Sequence, residues 1–454
     1  MREIAVLVHS LVWGPWTLVM FLGVGIWMTV RLRGFQILGI RRWWSATAGS
    51  LLREDADEKR PDDGTKITPF QSACTALAAT IGTGNIAGVA TALTCGGPGA
   101  LFWMWISAAI GMMTAYTETC LGQQYRYRGK DGQWMCGPMV YMERGLGCPW
   151  MGTMYAGLAA LASFGMGSMV QSNSVGSTLR FGLSIPEWVS GLAVTALAGL
   201  VILGGIGRIS QVAQRLMPVS AGIYFIFSVI VILSCAGELP GIFRMIFQEA
   251  FQLRSAAGGV GGFVLSRSVR YGLSRGVFSN EAGLGSLAVL HGAAEDTTPE
   301  QQGMWAMFEV FFDTIVVCSL TGLVILCIEA SWGIPDGAEG AALAAWCFSK
   351  RLGLLGEVLV SGAMVIFAFA TIIAWFYLGK QTASYLMERI FKGKYAGKRC
   401  EGLYTALYLG SVFTGCVWRL DLVWLVSDIW NGLMAYPNLL AVMLLCREVR
   451  RPKF

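Results

Sequence analysis

Charged residues are scarce in this chain of 454 residues. Lys, Arg, Asp and Glu make up 14% of the sequence, whereas 55% of the residues are hydrophobic. Soluble globular proteins usually carry about 25% charged residues. So little charge excludes an ordinary soluble domain of this length. The net charge of +6 is therefore not interpreted as a nucleic-acid-binding signal, and we expect no nucleic-acid partner.

Residues that commonly bind metals or transfer protons in enzymes are also few. The sequence has two histidines, His9 and His291, and no HExxH motif. Its twelve cysteines are scattered, without a CxxC pair or a Cys/His cluster. This pattern supports neither a transition-metal site nor a disulfide framework. We expect a protein that is not an enzyme and that holds no cofactor.

Long apolar runs are what the sequence has instead. Runs of about 20 residues are each long enough to cross a hydrocarbon core of roughly 30 Å as a helix. They predict an all-α integral membrane protein with about 11 transmembrane helices. The first run is too long for a signal core and has no small-residue cleavage pattern, so we expect it to be retained. The runs lie near residues 8–30, 68–95, 99–124, 150–178, 187–206, 212–236, 258–290, 303–328, 355–379, 402–418 and 421–446.

Basic residues are distributed unevenly between the two sets of loops. Of the 34 Lys and Arg residues, 24 lie in one set of alternate loops and the C-terminal tail, and seven lie on the other side. Short cytoplasmic loops carry an excess of Lys and Arg. The distribution predicts an N-terminus outside and a C-terminus in the cytoplasm. We expect a multi-pass protein in the inner or plasma membrane of a prokaryotic cell.

The first cytoplasmic loop, residues 35–67, has two parts. Arg41-Arg42-Trp43-Trp44 combines basic and indole side chains, which suits the lipid headgroup layer. Residues 53–66 form a charged, turn-rich connector. We expect no soluble domain in this loop.

The second run is unusually polar for a membrane helix. Thr80-Ile81-Gly82-Thr83-Gly84-Asn85 contains two glycines, each costing a helix interior roughly 1 kcal/mol relative to alanine. Asn85 adds a polar amide at membrane depth. Gly84 and Gly88 also form a small-xxx-small pair, so helix packing is the alternative explanation. The pattern better suits an unwound segment whose amides and carbonyls line a polar cavity.

A similar interruption occurs in the seventh run. Residues 275–285, RGVFSNEAGLG, place Ser, Asn, Glu and three glycines among apolar flanks. A plain loop between two spans is the alternative, but the apolar flanks favour a second broken helix.

The two interruptions lie five helices apart. Corresponding breaks in two halves indicate an inverted-repeat transporter with its site near the middle of the membrane. We expect an extra N-terminal helix in residues 1–34, a connector in 35–67, repeats of five helices in 68–236 and 237–446, and a tail in 447–454.

Six ordered segments resemble the alanine or glycine:cation symporter family, the sodium:alanine symporters. The longest are FQSACTALAATIGTGNIAGVATALTCGGPGALFWMW at 70–105, RGVFSNEAGLGS at 275–286 and FFDTIVVCSLTGLVIL at 311–326. The others are GPMVYMERGLG at 137–147, GMGSMVQSNSVG at 165–176 and FAFATIIAWFYLG at 367–379. The resemblance implies a five-plus-five, leucine-transporter-like fold and sodium-driven uptake of a small neutral amino acid, alanine or glycine.

The resemblance also implies which residues bind the substrate and the cation. Carbonyls of Ala78 and Ile81, with the Thr371 hydroxyl, would hold sodium, a hard cation that prefers oxygen ligands. Ala370 stands where the family usually has a hydroxyl, which leaves the identity and affinity of the cation open. The implied substrate residues are Gly82, Thr83, Gly84, Asn85, Gln171, Asn173, Phe278, Ser279, Asn280, Thr371 and Trp375, the last as a wall.

Backbone groups at two helix breaks suit an amino-acid zwitterion. Amides at an exposed helix N-terminus can receive the carboxylate, and exposed carbonyls can accept the ammonium. No charged side chain is required for either task.

Ionisable residues inside the runs are candidates for gating or for structural pairing. These are Glu118, Glu281 and Asp313, which Arg267, Arg270 or Arg275 could neutralise. His291 is interpreted as an ordinary loop residue rather than a proton relay.

Two other functions stay open at this point. The same fold could be coupled to protons instead of sodium, or it could form an amino-acid-gated channel or sensor. The sequence does not distinguish alanine from glycine or the L from the D form, and it leaves the oligomeric state undetermined.

Overall fold

A computed structural model describes most of the chain, and it is almost entirely helical. Residues 2–51, 66–129, 132–251, 267–335, 337–390, 398–418 and 421–452 are described. Residues 53–65 of the predicted charged connector and the start of the seventh run, 258–266, lie outside these residues.

Two helices lie where one additional N-terminal helix is predicted, and three short helices follow them. The five are α1 (Arg2–Val12), α2 (Pro15–Arg31), α3 (Phe35–Leu38), α4 (Ile40–Ala46) and α5 (Ala48–Leu51).

The first predicted repeat begins with a helix whose start is well defined. Thr68 Oγ1 accepts a hydrogen bond from the Gln71 amide at 3.1 Å, and Gln71 Oε1 accepts one from the Thr68 amide at 3.0 Å. This capping box precedes Pro69, a residue favoured in the first helical turn. The helices are α6 (Pro69–Thr80), a 3₁₀ turn (Thr83–Asn85), α7 (Ala87–Gly96), α8 (Gly99–Tyr125), α9 (Pro138–Arg144), α10 (Pro149–Ala162), a π-helix (Ser163–Met169), α11 (Val170–Leu183), α12 (Glu187–Ile202) and α13 (Gly205–Ser234). A hairpin of β1 (Tyr127–Arg128) and β2 (Trp134–Met135) precedes α9.

The second predicted repeat begins with α14 and also contains a broken helix, α15 and α16, and a π-helix. Its elements are α14 (Leu239–Ala250), α15 (Arg267–Asn280), α16 (Ser286–His291), α17 (Pro299–Val310), a π-helix (Phe311–Cys318), α18 (Ser319–Trp332), α19 (Gly340–Leu352), α20 (Leu354–Ile390), α21 (Lys398–Val417), α22 (Asp421–Leu445) and a 3₁₀ turn (Cys446–Glu448).

Helices lie along each of the predicted apolar runs, within the described residues. Seven are long and apolar enough to cross a membrane, and the pair formed by α6 with the segment Thr83–Gly96 makes an eighth if it counts as one span. The number eleven stays a prediction. Several helices are longer than predicted: α13 begins at Gly205 and α20 continues to Ile390. Helices continue past the apolar segment because their backbone hydrogen bonds do not require a hydrocarbon environment.

One end of the bundle carries the predicted basic loops, and we call it the basic end. The ends of α2 and α22 meet there, where Arg31 Nε donates to the Cys446 carbonyl at 2.7 Å. Arg126, just after α8, donates to the Gly292 carbonyl after α16 at 2.8 Å. Lys66, before α6, pairs with Asp296 at 3.2 Å. These contacts place the ends of α2, α8, α16 and α22 and the start of α6 at the same side.

Helix α8 lies in the centre of the bundle, against α15, α16 and α17, while α20 packs against α6, α10, α11 and α13. The two broken helices are thereby held between the long helices of both halves.

Aromatic rings attach the short helix α4 to the outside of α17 and of the π-helix that follows it. The Trp43 ring lies 5.6 Å from Phe311, and the Trp44 ring lies 6.0 Å from Phe308. Trp43 is buried, whereas Trp44 is 44% exposed. The predicted headgroup-layer segment thus also packs against the bundle.

Candidate functional site

The first helix break frees backbone groups in the centre of the bundle. Helix α6 ends at Thr80, and the chain bends by 58° before continuing as α7. The Gly82 amide, which in a continuous helix would donate to the Ala78 carbonyl, instead donates to Asn85 Oδ1 at 3.0 Å. The Asn85 amide donates to the Gly82 carbonyl at 3.3 Å rather than to that of Ile81. The carbonyls of Ala78 and Ile81 therefore lose their helical donors.

The second break lies at residues 281–285, between α15 and α16. Glu281, Gly283 and Gly285 have φ angles of +55°, +94° and +81°. Such angles favour glycine and are strained for Glu281. Phe278, Ser279 and Asn280, predicted within the break, form the last turn of α15.

The Asp313 carboxylate joins the two breaks. Oδ1 accepts a hydrogen bond from Asn85 Nδ2 at 2.6 Å, and Oδ2 accepts one from Ser279 Oγ at 2.7 Å. Thr314 Oγ1 donates to Oδ2 at 2.8 Å. Asp313 is fully buried in the π-helix Phe311–Cys318. π-Helical turns inside α-helices occur often at functional sites.

Gly82 lies between two polar side chains from other helices. A Cβ added to Gly82 would be 2.8 Å from Thr371 Oγ1 on α20 and 3.4 Å from Gln171 Oε1 on α11. Gln171 Oε1 is buried and has no hydrogen-bond partner. A Cβ at Gly84 would lie 3.5 Å from the Phe278 ring. The structure thus brings four parts of the chain together, as the sequence predicts: the first break, the end of α15 before the second break, α11 and α20.

Two of the predicted substrate residues are engaged elsewhere. Asn173 Nδ2 donates to the carbonyls of Gly415 and Trp418 at 3.1 and 3.2 Å, so it faces the end of α21. Residues 171 and 173 lie on different faces of a helix because two residues correspond to about 200° of rotation. Asn280 Nδ2 donates to Thr314 Oγ1 at 3.2 Å, and its Oδ1 accepts from the Ala282 amide at 3.1 Å. Asn280 therefore supports the second break.

Trp375 contacts both the break and a π-helix. Its indole Nε1 donates to Glu281 Oε1 at 3.1 Å, while Glu281 Oε2 is buried without a partner. A Cβ at Gly167, in the π-helix before α11, would lie 2.4 Å from Trp375 Cβ. Glycine at this position allows α20 to approach closely enough for Trp375 to reach the second break.

Glu118 and Asn438 contact the second break on the side nearer the basic end. Asn438 was not predicted from the sequence. Asn438 Nδ2 donates to Glu118 Oε2 at 2.9 Å and to the Gly283 carbonyl at 2.8 Å. Its Oδ1 accepts from the Tyr141 hydroxyl. The only signal in the sequence was a polar amide inside the last apolar run.

Arginines do not neutralise these acids among the described residues, contrary to one expectation. None of the ion pairs there includes Glu118, Glu281 or Asp313, each of which instead accepts hydrogen bonds from neutral donors. Arg275 lies over the Phe278 ring, with Cζ 5.4 Å from its centroid. The interpretation of His291 was also wrong: it is fully buried in the last turn of α16 and lies 3.0 Å from Glu309.

The described residues form neither the nucleophile turn of a hydrolase nor a cluster of metal-binding side chains. Residues 272–276, GLSRG, match the spelling GxSxG, but they lie inside α15 and form no strand-to-helix turn. In the part of the chain that the structure describes, no group of three or more His, Cys, Asp or Glu side chains could hold a metal ion.

At the basic end of the site, the last turn of α16 contacts α6 and α8. Ser72 Oγ donates to the Leu290 carbonyl at 2.9 Å, and Gln123 Nε2 donates to the His291 carbonyl at 2.5 Å. At the opposite end, a cavity of about 450 Å³ lies between α11, α19 and α20. It is lined by Ser177, Thr178, Trp346, Ser349, Glu357 and Met364, among others.

Known proteins share this sequence and fold. The sodium:alanine symporter family matches residues 1–452. The sodium/alanine symporter AgcS of Methanococcus maripaludis is 37% identical, over 96% of this chain and 93% of its own length. A putative sodium/proton-dependent alanine carrier protein of Bacillus subtilis, YrbD, is 33% identical, over 98% of this chain and 90% of its own. A solved Na⁺-coupled sialic acid symporter, in a substrate-bound outward-open state, has a TM-score of 0.61 at 13% identity, covering 95% of this chain and 88% of that one.

These findings confirm the family resemblance and the leucine-transporter-like fold. Two broken helices meet at buried polar groups, and the bundle contains helices long enough to span a membrane. Both observations agree with the family and the fold. The chain therefore belongs to the sodium:alanine symporter family, and it is a secondary active transporter, not an enzyme, that moves an amino acid together with a cation.

Proposed function

We propose that this protein carries alanine or glycine into the cell together with sodium. The observation that carries the proposal is the meeting of the two breaks, where Asn85 and Ser279 share the Asp313 carboxylate and Gly82 lies beside Gln171 and Thr371. Alternating access at such a site moves a solute across the membrane without an open pore.

The substrate binds as a zwitterion to backbone groups of the breaks. The amides of Thr83 and Gly84, in the 3₁₀ turn that precedes α7, receive the carboxylate, because a helix N-terminus has a partial positive charge. Gln171 Oε1, an unpaired acceptor, takes one of the ammonium protons. Phe278 and Trp375 wall the side-chain space. The close approach of Gly82 to Thr371 brings the first break against α20 beside this space.

Sodium binds where α6 ends against α20. The carbonyls of Ala78 and Ile81 lack their helical donors, and Thr371 Oγ1 lies next to Gly82. Thr371 donates its proton to the Phe367 carbonyl at 3.0 Å, which leaves its lone pairs for a cation. Oxygen ligands of this kind suit sodium. Binding there stabilises the contact between the broken helix and α20, which couples the ion to closure.

The buried acids hold the breaks in register. Asp313 supplies negative charge close to the cation and ties both breaks together. The hydrogen bond from Trp375 to Glu281 fixes α20 to the second break. Glu118 and Asn438 support that break from the basic end.

The driving force is sufficient for a scavenging transporter. One sodium ion and a neutral zwitterion carry one net charge inward. A potential of about 100 mV contributes roughly 2.3 kcal/mol, and a tenfold sodium gradient adds about 1.4 kcal/mol. Together they support accumulation of roughly 500-fold.

In this proposal the basic end faces the cytoplasm of a prokaryotic cell, the N-terminus lies outside and the C-terminus lies inside. Residues 1–34 form an added helix, 35–67 a connector, 68–236 and 237–446 the inverted repeats, and 447–454 a cytoplasmic tail.

Uptake by purified protein in liposomes tests the proposal. An inward sodium gradient should drive concentrative uptake of labelled alanine or glycine, and an inside-negative potassium diffusion potential should increase it. An amino-acid-gated channel would equilibrate the solute without accumulation, and a transporter coupled only to protons would respond to a pH gradient in the absence of sodium. Either result would contradict the proposal.

A further inference from the structure

A second buried carboxylate lies one helical turn before Asp313 and outside the substrate site. Glu309, on α17, is fully buried. Its Oε2 lies 3.0 Å from Nε2 of His291, which is also fully buried, and its Oε1 accepts a hydrogen bond from Thr80 Oγ1 at 3.1 Å. Three elements therefore meet at one carboxylate: the last residue of α6 before the first break, the last residue of α16, and α17.

The groups facing this pair carry no positive charge of their own. From α6, Thr80 and the Cys74 thiol face Glu309. From α8, Gln123 contacts the His291 carbonyl, and the acids Glu118, Glu281 and Asp313 lie at longer range. Among the described residues, His291 is the ion-pair partner of Glu309, and neither Lys nor Arg pairs with it.

A fully ionised carboxylate beside a neutral imidazole would leave a net negative charge buried at this depth. Isolated buried charges are costly, and they are tolerated when they are paired or neutralised. One proton bound between Glu309 Oε2 and His291 Nε2 removes that charge. The bound proton can reside on the carboxylate or on the imidazole, and the pair is neutral overall in either case.

We propose that Glu309 and His291 form a proton-binding site, so that a proton is carried inward with the amino acid and sodium. This proposal rests on the proposed function. The proton is taken from water while the site faces outward, is held between the two side chains when the basic end is closed, and is released to water on the cytoplasmic side. No other group gains or loses a bond.

Two features connect this proton to the transport cycle. Thr80 is the residue at which α6 ends, so movement of α6 breaks its hydrogen bond to Glu309 and changes what stabilises the carboxylate. Unpartnered polar groups also lie between this pair and the basic end. His291 Nδ1 and both amide atoms of Gln302 are buried without partners. Gln302 lies two turns before Glu309 on the same face of α17, about 10 Å nearer the basic end.

Proton movement can be measured in liposomes that contain a pH-sensitive dye, with the membrane potential clamped by potassium and valinomycin. The wild-type protein should acidify the lumen when alanine is added outside with sodium. Glu309→Gln keeps the size and hydrogen-bonding capacity of the side chain but cannot release a proton. It should retain sodium-dependent alanine uptake and lose at least nine-tenths of the acidification per alanine transported. Glu300→Gln, on the first turn of the same helix, is the matched control and should acidify like the wild type.

The outcomes separate the two proposals. Sodium-driven alanine accumulation by the wild type without acidification would overturn the proton site and leave the proposed function standing. Equal acidification per alanine in Glu309→Gln and the wild type would also overturn it. Acidification with uptake that needs no sodium would support the proton site and contradict sodium coupling. The absence of both uptake and acidification in the wild type would overturn both proposals. The wild-type ratio of protons to alanine gives the answer even if the Gln variant does not fold.

Discussion

Asn85 and Asp313 lie 228 residues apart in the chain, yet Asn85 Nδ2 donates to Asp313 Oδ1 at 2.6 Å in the centre of the bundle. Ser279 donates to the other carboxylate oxygen at 2.7 Å. One acid therefore sets the distance between the two helix breaks.

Asp313→Asn should weaken sodium binding while leaving the fold largely intact. The amide keeps the size of the side chain but removes a negative charge close to the proposed cation. We expect at least a tenfold rise in the sodium concentration for half-maximal uptake, about 1.4 kcal/mol. Sodium titration of alanine uptake measures the change. An unaltered titration would show that Asp313 has only a structural role.

Gly82→Ala should abolish most transport, because the added Cβ would lie 2.8 Å from Thr371 Oγ1. We expect a loss of at least tenfold in the uptake rate, since the first break and α20 must separate to accommodate the methyl group. Gly88→Ala is the matched control, since a Cβ there meets nothing within 4 Å. Similar activity of the two variants would contradict the proposed position of the cation and substrate.

Gln171→Ala and Asn173→Ala should have different effects although the residues are two apart. Gln171 presents an unpaired buried oxygen beside Gly82, so its loss should raise the KM for alanine about tenfold. Asn173 donates to two carbonyls near the end of α21. Its loss should lower stability by about 1–3 kcal/mol with little change in KM. Uptake kinetics and thermal unfolding of the purified variants distinguish these effects. A larger KM effect for Asn173 would mean that the pocket extends towards α21.

Asn438→Ala should destabilise the protein and slow transport together. Three buried groups lose a partner: Glu118, the Gly283 carbonyl and the Tyr141 hydroxyl. We expect a loss of roughly 3 kcal/mol or more, because each unpaired buried polar group costs about 1–3 kcal/mol. Thermal unfolding in detergent measures the loss. An unchanged unfolding temperature would show that the second break does not depend on this support.

Ala370→Ser should strengthen sodium binding if the neighbouring Thr371 is a ligand. The substitution supplies a hydroxyl oxygen next to Thr371, at a fully buried position. We expect sodium to protect the purified protein against heating at several-fold lower concentration than in the wild type. Unchanged protection would place the cation away from this part of α20.

The sequence predicts the helix breaks because their cause is local. Glycines within two residues of Asn85 or Glu281 disfavour a membrane helix regardless of the tertiary contacts. The interruption can therefore be recognised within a short segment of sequence. The family resemblance then placed Gln171 and Thr371 with them. The structure brings both residues to Gly82, although no local property of α11 or α20 indicates that contact.

Contacts between distant residues could not be predicted in this way. Glu309 lies inside the eighth predicted run and His291 directly after the seventh, and neither position indicates the other as its partner. The pairing of Asn438 with Glu118 spans 320 residues. The face on which Asn173 lies depends on where α21 packs and on the π-helix before α11, whose wider turns leave no signal in the residue types.

The ring contacts of α4 with α17 and the following π-helix have a mechanical consequence. Phe308 and Phe311 point outward to Trp44 and Trp43, while Glu309 and Asp313 of the same stretch point into the bundle. A rotation of this stretch that repositions the two acids must also displace both indoles, of which Trp43 is buried and Trp44 is 44% exposed. We expect lipid bound to the exposed Trp44 ring to slow the rotation, which would make the turnover rate sensitive to lipid composition.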